Sequence, residues 1–147
     1  MALGLNAVDH VAVVPRYPAF NSKIELLSHT TLFGGQCATA MVSLSRLGLR
    51  TRYIGRVGDD LSGQLQAASI RDEGVDVSEL RAIENADTQI SVILVDNSSG
   101  ERTVMWRRDP RIRVAPDEIR PDLITSARTF HCDGHNVDAE ILAATWA

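Results

Sequence analysis

Residues 33–60 read FGGQCATAMVSLSRLGLRTRYIGRVGDD, and this stretch decides the fold. Gly34 and Gly35 open a helical segment over Gln36 to Leu47, in which Cys37, Ala40, Met41, Leu44 and Leu47 share one face at spacings of three and four. Gly48 falls where a helix-ending glycine belongs. Thr51 to Val57 is β-branched and aromatic and predicts a strand. Gly58-Asp59-Asp60 then turns the chain into a second helix over Asp60 to Glu73, with Asp60 well placed as its N-cap and Gly74 as its stop. Loop, helix, strand, loop and helix make half of a βαβ unit.

Outward from that stretch the rhythm continues. Val8 to Val14 is an apolar run interrupted by Asp9 and His10, and it predicts a buried strand. Val77 to Ile83 and Arg128 to Cys132 predict short strands, Ala115 to Leu123 a short helix near Pro116, and Asp138 to Trp146 the start of another helix. Alternating strands and helices predict an α/β parallel sheet. Lys23 to Phe33, and the two runs Thr88 to Asp96 and Glu101 to Arg107 joined by Asn97-Ser98-Ser99-Gly100, break the rhythm. They predict a separate antiparallel patch, with lid strands at about 23–33 and 88–107. The apolar face of Ile141, Leu142 and Trp146 has nothing after it to cover. The expectation is a single domain over 1–147 that is a piece of a protein about twice as long.

Composition limits the function classes. The chain has 147 residues, 44% hydrophobic, and a formal charge of −4 with acids and bases interspersed. A nucleic-acid partner is not expected without a basic stripe, nor a membrane partner without an apolar run of spanning length. Two cysteines are too few for a disulfide framework, so both are expected to be reduced, in the cytoplasm.

Three features invite chemistry. The glycine pair before a helix either makes a tight turn or lets a ligand's oxygens approach the backbone and the first-turn N–H groups. It is neither a dinucleotide fingerprint nor a phosphate loop. Asp9 inside an apolar strand is either a bidentate acceptor for two neighbouring hydroxyls or a carboxylate bonded to loop amides. Asp133 ends a strand, where ligands of open α/β sheets bind, and equally suits an Asp-Gly turn. The four histidines lack metal-ligand spacing, and no metal site is expected. Cys37 is either a thiol acidified at a helix start or a packed side chain. Arg102, Arg107, Arg108, Arg111 and Arg113 cluster on and after the hairpin; one or two would meet an anionic substrate if that hairpin is a lid.

In order and spacing these pieces resemble the ribokinase (pfkB) family of carbohydrate kinases. The resemblance runs through Gly4 to Asp9, Gly34-Gly35, Arg46-Leu47-Gly48, Gly55-Arg56-Val57-Gly58-Asp59-Asp60 with Gly63, Gly74-Val75-Asp76, and Gly100-Glu101-Arg102-Thr103. It implies a ribokinase-like α/β fold, a parallel sheet flanked by helices with a small β-lid, truncated before the ATP-binding half. It implies ATP-dependent phosphorylation of a sugar hydroxyl, with Asp9, Gly34, Gly35, Thr39 and Asp133 on the substrate. ATP and Mg2+ are implied too, with their sites outside this chain. The family's Gly-Ala-Gly-Asp motif, which carries the catalytic base, is not in the sequence, so no catalytic residue is expected here and no phosphotransfer by these residues alone. Thr39 stands where the family usually has asparagine, which puts the common pentoses in doubt. Gly-Gly-x-x-Ala-Thr is similar to the branch containing sulfofructose kinase, which leans toward a modified or anionic ketose. The lid can pair between subunits, which implies a homodimer. The competing expectation is a non-catalytic sugar- or nucleoside-binding or dimerisation module.

Overall fold

The computed structural model describes residues 1–147. The main sheet is parallel throughout, in the order β5 (Asp76–Ile83), β4 (Arg52–Gly58), β1 (Ala2–Leu3), β8 (His131–Cys132). Side-chain alternation along these strands feeds two cores. Ala2 and Tyr53 face α1 (Gln36–Arg46) and α2 (Leu61–Asp72), packing with Cys37, Met41, Ile70 and Val75. Leu3 and Ile54 face the opposite side, against a 3-10 turn (Pro116–Glu118), α3 (Pro121–Thr125) and α4 (Val137–Trp146), with Ile124, Ala139 and Ala143. The α/β parallel sheet predicted from the alternation is present, with helices on both faces, a doubly wound arrangement.

The helix ends follow local chemistry. Gly48 and Gly74, just beyond α1 and α2, have φ of 84° and 80°, a conformation other residues rarely adopt. The Asp60 carboxylate accepts from the Gly63 N–H at 2.8 Å, a capping bond. It also accepts from the Thr88 N–H at 3.0 Å and the Thr88 hydroxyl at 2.6 Å. The same side chain therefore starts α2 and anchors the entry to the second sheet.

That second sheet is the lid, in the order β3 (Ser28–Gly34), β2 (Ala7–Val14), β6 (Ile90–Asp96), β7 (Arg102–Arg107). Three expectations change here. The N-terminal run is not one buried strand of the main sheet. It breaks at Gly4-Leu5-Asn6, so that Ala2–Leu3 lies in the main sheet while Ala7–Val14 becomes a central lid strand. Because β2 runs parallel to β6 and antiparallel to β3, the lid is a mixed sheet, not an antiparallel patch. The lid strand placed at 23–33 begins only at Ser28. Ser28 pairs with Val13, the Leu27 N–H still donates to the Val13 carbonyl at 2.7 Å, and Pro15 ends β2 soon after, leaving residues 23–26 without a partner strand. The hairpin β6–β7 forms as expected, closing through Gly100 at φ 76°.

Candidate functional site

The carboxyl ends of β1, β4 and β8 meet the foot of the lid, the crevice where an open α/β sheet receives ligands. Each lid strand is rooted here. Gly34 leads into Gly35 and α1, Asn6 into β2, Gln89 into β6, and Arg107 out of β7 into Arg108.

Asp9 and Gly34 converge. A methyl group placed on Gly34 would lie 2.9 Å from Asp9 Oδ2, so the carboxylate occupies the space that the missing side chain leaves. Asp9 is half-buried, as a lid strand with one open face requires. The ladder registers place it in a row with Leu32, Ser91 and Trp106, all on one face of the lid. Gly35 has a different constraint. Its φ is 104°, and a methyl group there would strike the Asn6 and Leu5 backbone. Thr39 lies on the first turn of α1, exposed, its N–H donating to the Gly35 carbonyl at 2.8 Å.

Asp133 has another placement from the one its strand-end position suggests. Its side chain is 1% exposed. One oxygen accepts from the Leu5 N–H at 2.8 Å and the Cys37 N–H at 3.2 Å; the other lies 3.1 Å from His135 Nδ1. Burial raises its pKa, but the bonds from Leu5, Cys37 and His135 outweigh that and hold it below 3.8. It also reaches the start of α1. With Cys37 N–H donating to Asp133 and Ala38 N–H to the Leu5 carbonyl, two of the first-turn amides expected to meet a ligand are occupied. Asp133 lies under the site and fixes the Gly4-Leu5-Asn6 break to the helix that carries the glycine pair.

Two measurements follow. Asp133 and Asp60 both have folded-state pKa values below 3.8. A depressed carboxylate stabilises the fold above its unfolded pKa, and the contribution is lost as pH falls through the folded value. Stability measured by urea titration is expected to hold above about pH 5 and to fall progressively below about pH 4. A stability curve still rising below pH 4 would contradict this. The Cys37 thiol, fully buried and donating to the Leu3 carbonyl at 3.3 Å, is pushed up first by burial and then by the Asp133 charge. It is the packed side chain of the two readings, and Cys132 is exposed. A thiol reagent at neutral pH is expected to label Cys132 in the folded chain, slowed because partial burial and the Glu140 and Asp133 charges push its thiol up, and Cys37 only on unfolding.

Residue types alone did not single out Asn6, Gln89 or Trp106. Asn6 is 5% exposed, with Nδ2 donating to the Tyr53 hydroxyl and the Arg56 carbonyl, both at 3.0 Å. Its signal was the one that marked Asp9, a polar residue inside an apolar run. Arg108 is held by the carbonyls of Ile112 and His135 and by Asn136 Oδ1, so it braces the exit of β7.

Fold and site together define a doubly wound α/β protein with a β lid rooted over the carboxyl ends of its strands and a carboxylate set against a bare glycine beneath that lid. The pattern of the pfkB family of carbohydrate kinases matches residues 1–147, and the chain belongs to that family. It is 37% identical over 100 residues to probable fructokinase-3 of Arabidopsis thaliana, covering 67% of this chain and 29% of that protein. It is 27% identical over 141 residues to mouse (Mus musculus) ketohexokinase, covering 96% of this chain and 47% of that one. Among solved structures, a putative ribokinase from Agrobacterium tumefaciens superposes with a TM-score of 0.90 at 23% identity, over 99% of this chain and 47% of its own. Arabidopsis thaliana ribokinase, complexed with ribose and ATP, superposes at 0.81 with 23% identity, over 99% of this chain and 48% of its own. The chain thus spans about half or less of the length of these relatives.

Proposed function

We propose that these residues are the sugar-binding side and lid of an ATP-dependent carbohydrate kinase, with a neutral ketose such as fructose as the acceptor. The contact between Asp9 and Gly34 carries this reading. A carboxylate accepts from two adjacent hydroxyls at once, and the missing side chain at Gly34 lets the Asp9 carboxylate take up this position. Asp9, Gly34, Gly35 and Thr39 take the sugar. Thr39 offers one hydroxyl in place of a two-ended amide. Asp133 contributes through the backbone it fixes. The lid row of Leu32, Ser91 and Trp106 covers the sugar and excludes water. Fructokinases and ketohexokinase among the relatives favour a ketohexose.

The nucleotide does not fit these residues. At the start of α1 the Cys37 N–H is taken by Asp133, and the start of α2 is capped by Asp60. We place MgATP and the catalytic base on residues outside this chain. The 147 residues bind and orient the acceptor without transferring phosphate.

A second observation favours pairing through the lid. The face opposite Asp9 carries Phe33, Val92 and Met105, exposed by 41%, 40% and 52%. An apolar sheet face of this kind suits a second copy of the chain, and we place the homodimer there, in the cytoplasm. Isothermal titration with D-fructose, D-ribose and adenosine tests the main reading. Saturable binding of the ketose, with weaker or absent binding of the other two, is expected. Binding of none overturns it.

A further inference from the structure

The lid carries a pair of side chains that the sugar reading does not use. His10 on β2 and His29 on β3 stand side by side, their rings stacked with centres 6.0 Å apart and planes 10° from parallel. Linear spacing gives no sign of this pair, because the antiparallel ladder brings it together. His10 lies opposite Thr31 and His29 opposite Ala12, so the two histidines are diagonal neighbours on one face of the lid. Successive residues of a strand alternate, so that face is the one turned away from Asp9. Both side chains are within reach of solvent, His29 exposed and His10 half-buried.

The surroundings suit a metal ligand. His10 Nδ1 lies 3.3 Å from the Thr31 hydroxyl oxygen. Metal-binding histidines donate the N–H of their other ring nitrogen to an oxygen of this kind, which fixes the ring and leaves the ligating nitrogen bare. With Thr31 accepting from Nδ1, Nε2 of His10 is the ligating atom. Zinc holds an imidazole nitrogen at about 2.0–2.1 Å, which puts the ring centres of two neighbouring ligands about 5 Å apart. Closing the observed 6.0 Å to that value takes about 1 Å, within the range of side-chain rotation on an open sheet face.

The donor set selects the ion. The residues beside the pair on this face are Ala12, Val92 and Leu94, all uncharged. No fixed cation among them repels a metal, and no carboxylate among them draws magnesium or calcium. Two imidazoles suit zinc, nickel or copper.

We propose that His10 and His29 seat a divalent transition-metal ion on the outer face of the lid, clamping β2 to β3. The other positions of a tetrahedral zinc are open to water or, where two lids meet, to the same pair of a second copy. The site is independent of the sugar-binding reading.

Isothermal titration of Zn2+ into the 147-residue chain carrying Cys132→Ser tests it; that substitution removes the exposed thiol, a competing zinc ligand. His10→Ala and His29→Ala are each expected to weaken zinc binding at least tenfold, roughly the least that losing a ligand costs. Thr31→Val keeps the β-branched shape and both imidazoles but removes the hydroxyl, and is expected to weaken zinc binding about tenfold. His131→Ala, on the main sheet, is expected to leave the affinity within about twofold, and Mg2+ is expected not to bind. Circular dichroism checks that each variant is folded. Absence of zinc binding overturns the proposal. So does an affinity that either His10→Ala or His29→Ala leaves unchanged, or one that falls as much in His131→Ala.

Discussion

Gly35→Ala is expected to lower the melting temperature by more than about 10 °C, or to leave no folded protein. The backbone at Gly35 has φ 104°, outside the range of residues bearing a Cβ. Forcing alanine there costs about 1–3 kcal/mol in strain alone. The new methyl group would also overlap the Leu5 carbonyl and the Asn6 backbone, and neither can move without shifting the break between β1 and β2. That overlap adds about another 1–3 kcal/mol, against a total stability of about 5–15 kcal/mol for a domain. Thermal unfolding followed by circular dichroism checks it. A melting temperature within about 3 °C of the unsubstituted chain would show that the lid root tolerates a side chain.

Asp133→Ala is expected to cost about 3–5 kcal/mol, chiefly by stripping two part-buried backbone donors of their acceptor. Leu5 N–H and Cys37 N–H both point at one Asp133 oxygen, at 2.8 and 3.2 Å. Water would have to enter beneath α1 to replace it, and the methyl of a Cβ on Gly4 would already collide there at 2.5 Å with Asp133 Oδ1 and Cys37 Sγ. Asp133→Asn keeps one oxygen and should lose roughly half as much, because its amide group faces donors on one side. Urea titration reads both variants. A loss below about 1 kcal/mol for the alanine variant would mean that the carboxylate is not what ties the glycine-pair helix to the first strand.

Much of this was legible in the order of residues. Gly48 and Gly74 ended helices because only glycine readily takes their conformation, and Asp60 capped α2 because a short carboxylate reaches a first-turn amide. The α/β alternation read through to a doubly wound sheet. The N-terminal run did not. Val8 to Val14 is equally apolar in a main-sheet strand and in a lid strand, and the bend at Gly4-Leu5-Asn6 that decides between them is fixed by long-range bonds to Tyr53, Arg56 and Asp133. Asp133 read as a ligand contact because strand ends are where ligands bind. Its burial depends on Leu5 and Cys37 arriving from distant segments.

The central claim is that Asp9, its carboxylate seated in the space that Gly34 leaves bare, takes a polyol. Gly34 lacks the positive φ of Gly35, and an added methyl would meet only the end of the Asp9 side chain, at 2.9 Å. Gly34→Ala should therefore keep its melting temperature within about 3 °C, displace the carboxylate and abolish D-fructose binding. Titration calorimetry of D-fructose against this folded variant, beside Asp9→Asn, is the direct measurement. Loss of binding by a factor of at least about 100 in both is the predicted result. Unchanged affinity in either would place the sugar elsewhere and contradict the account.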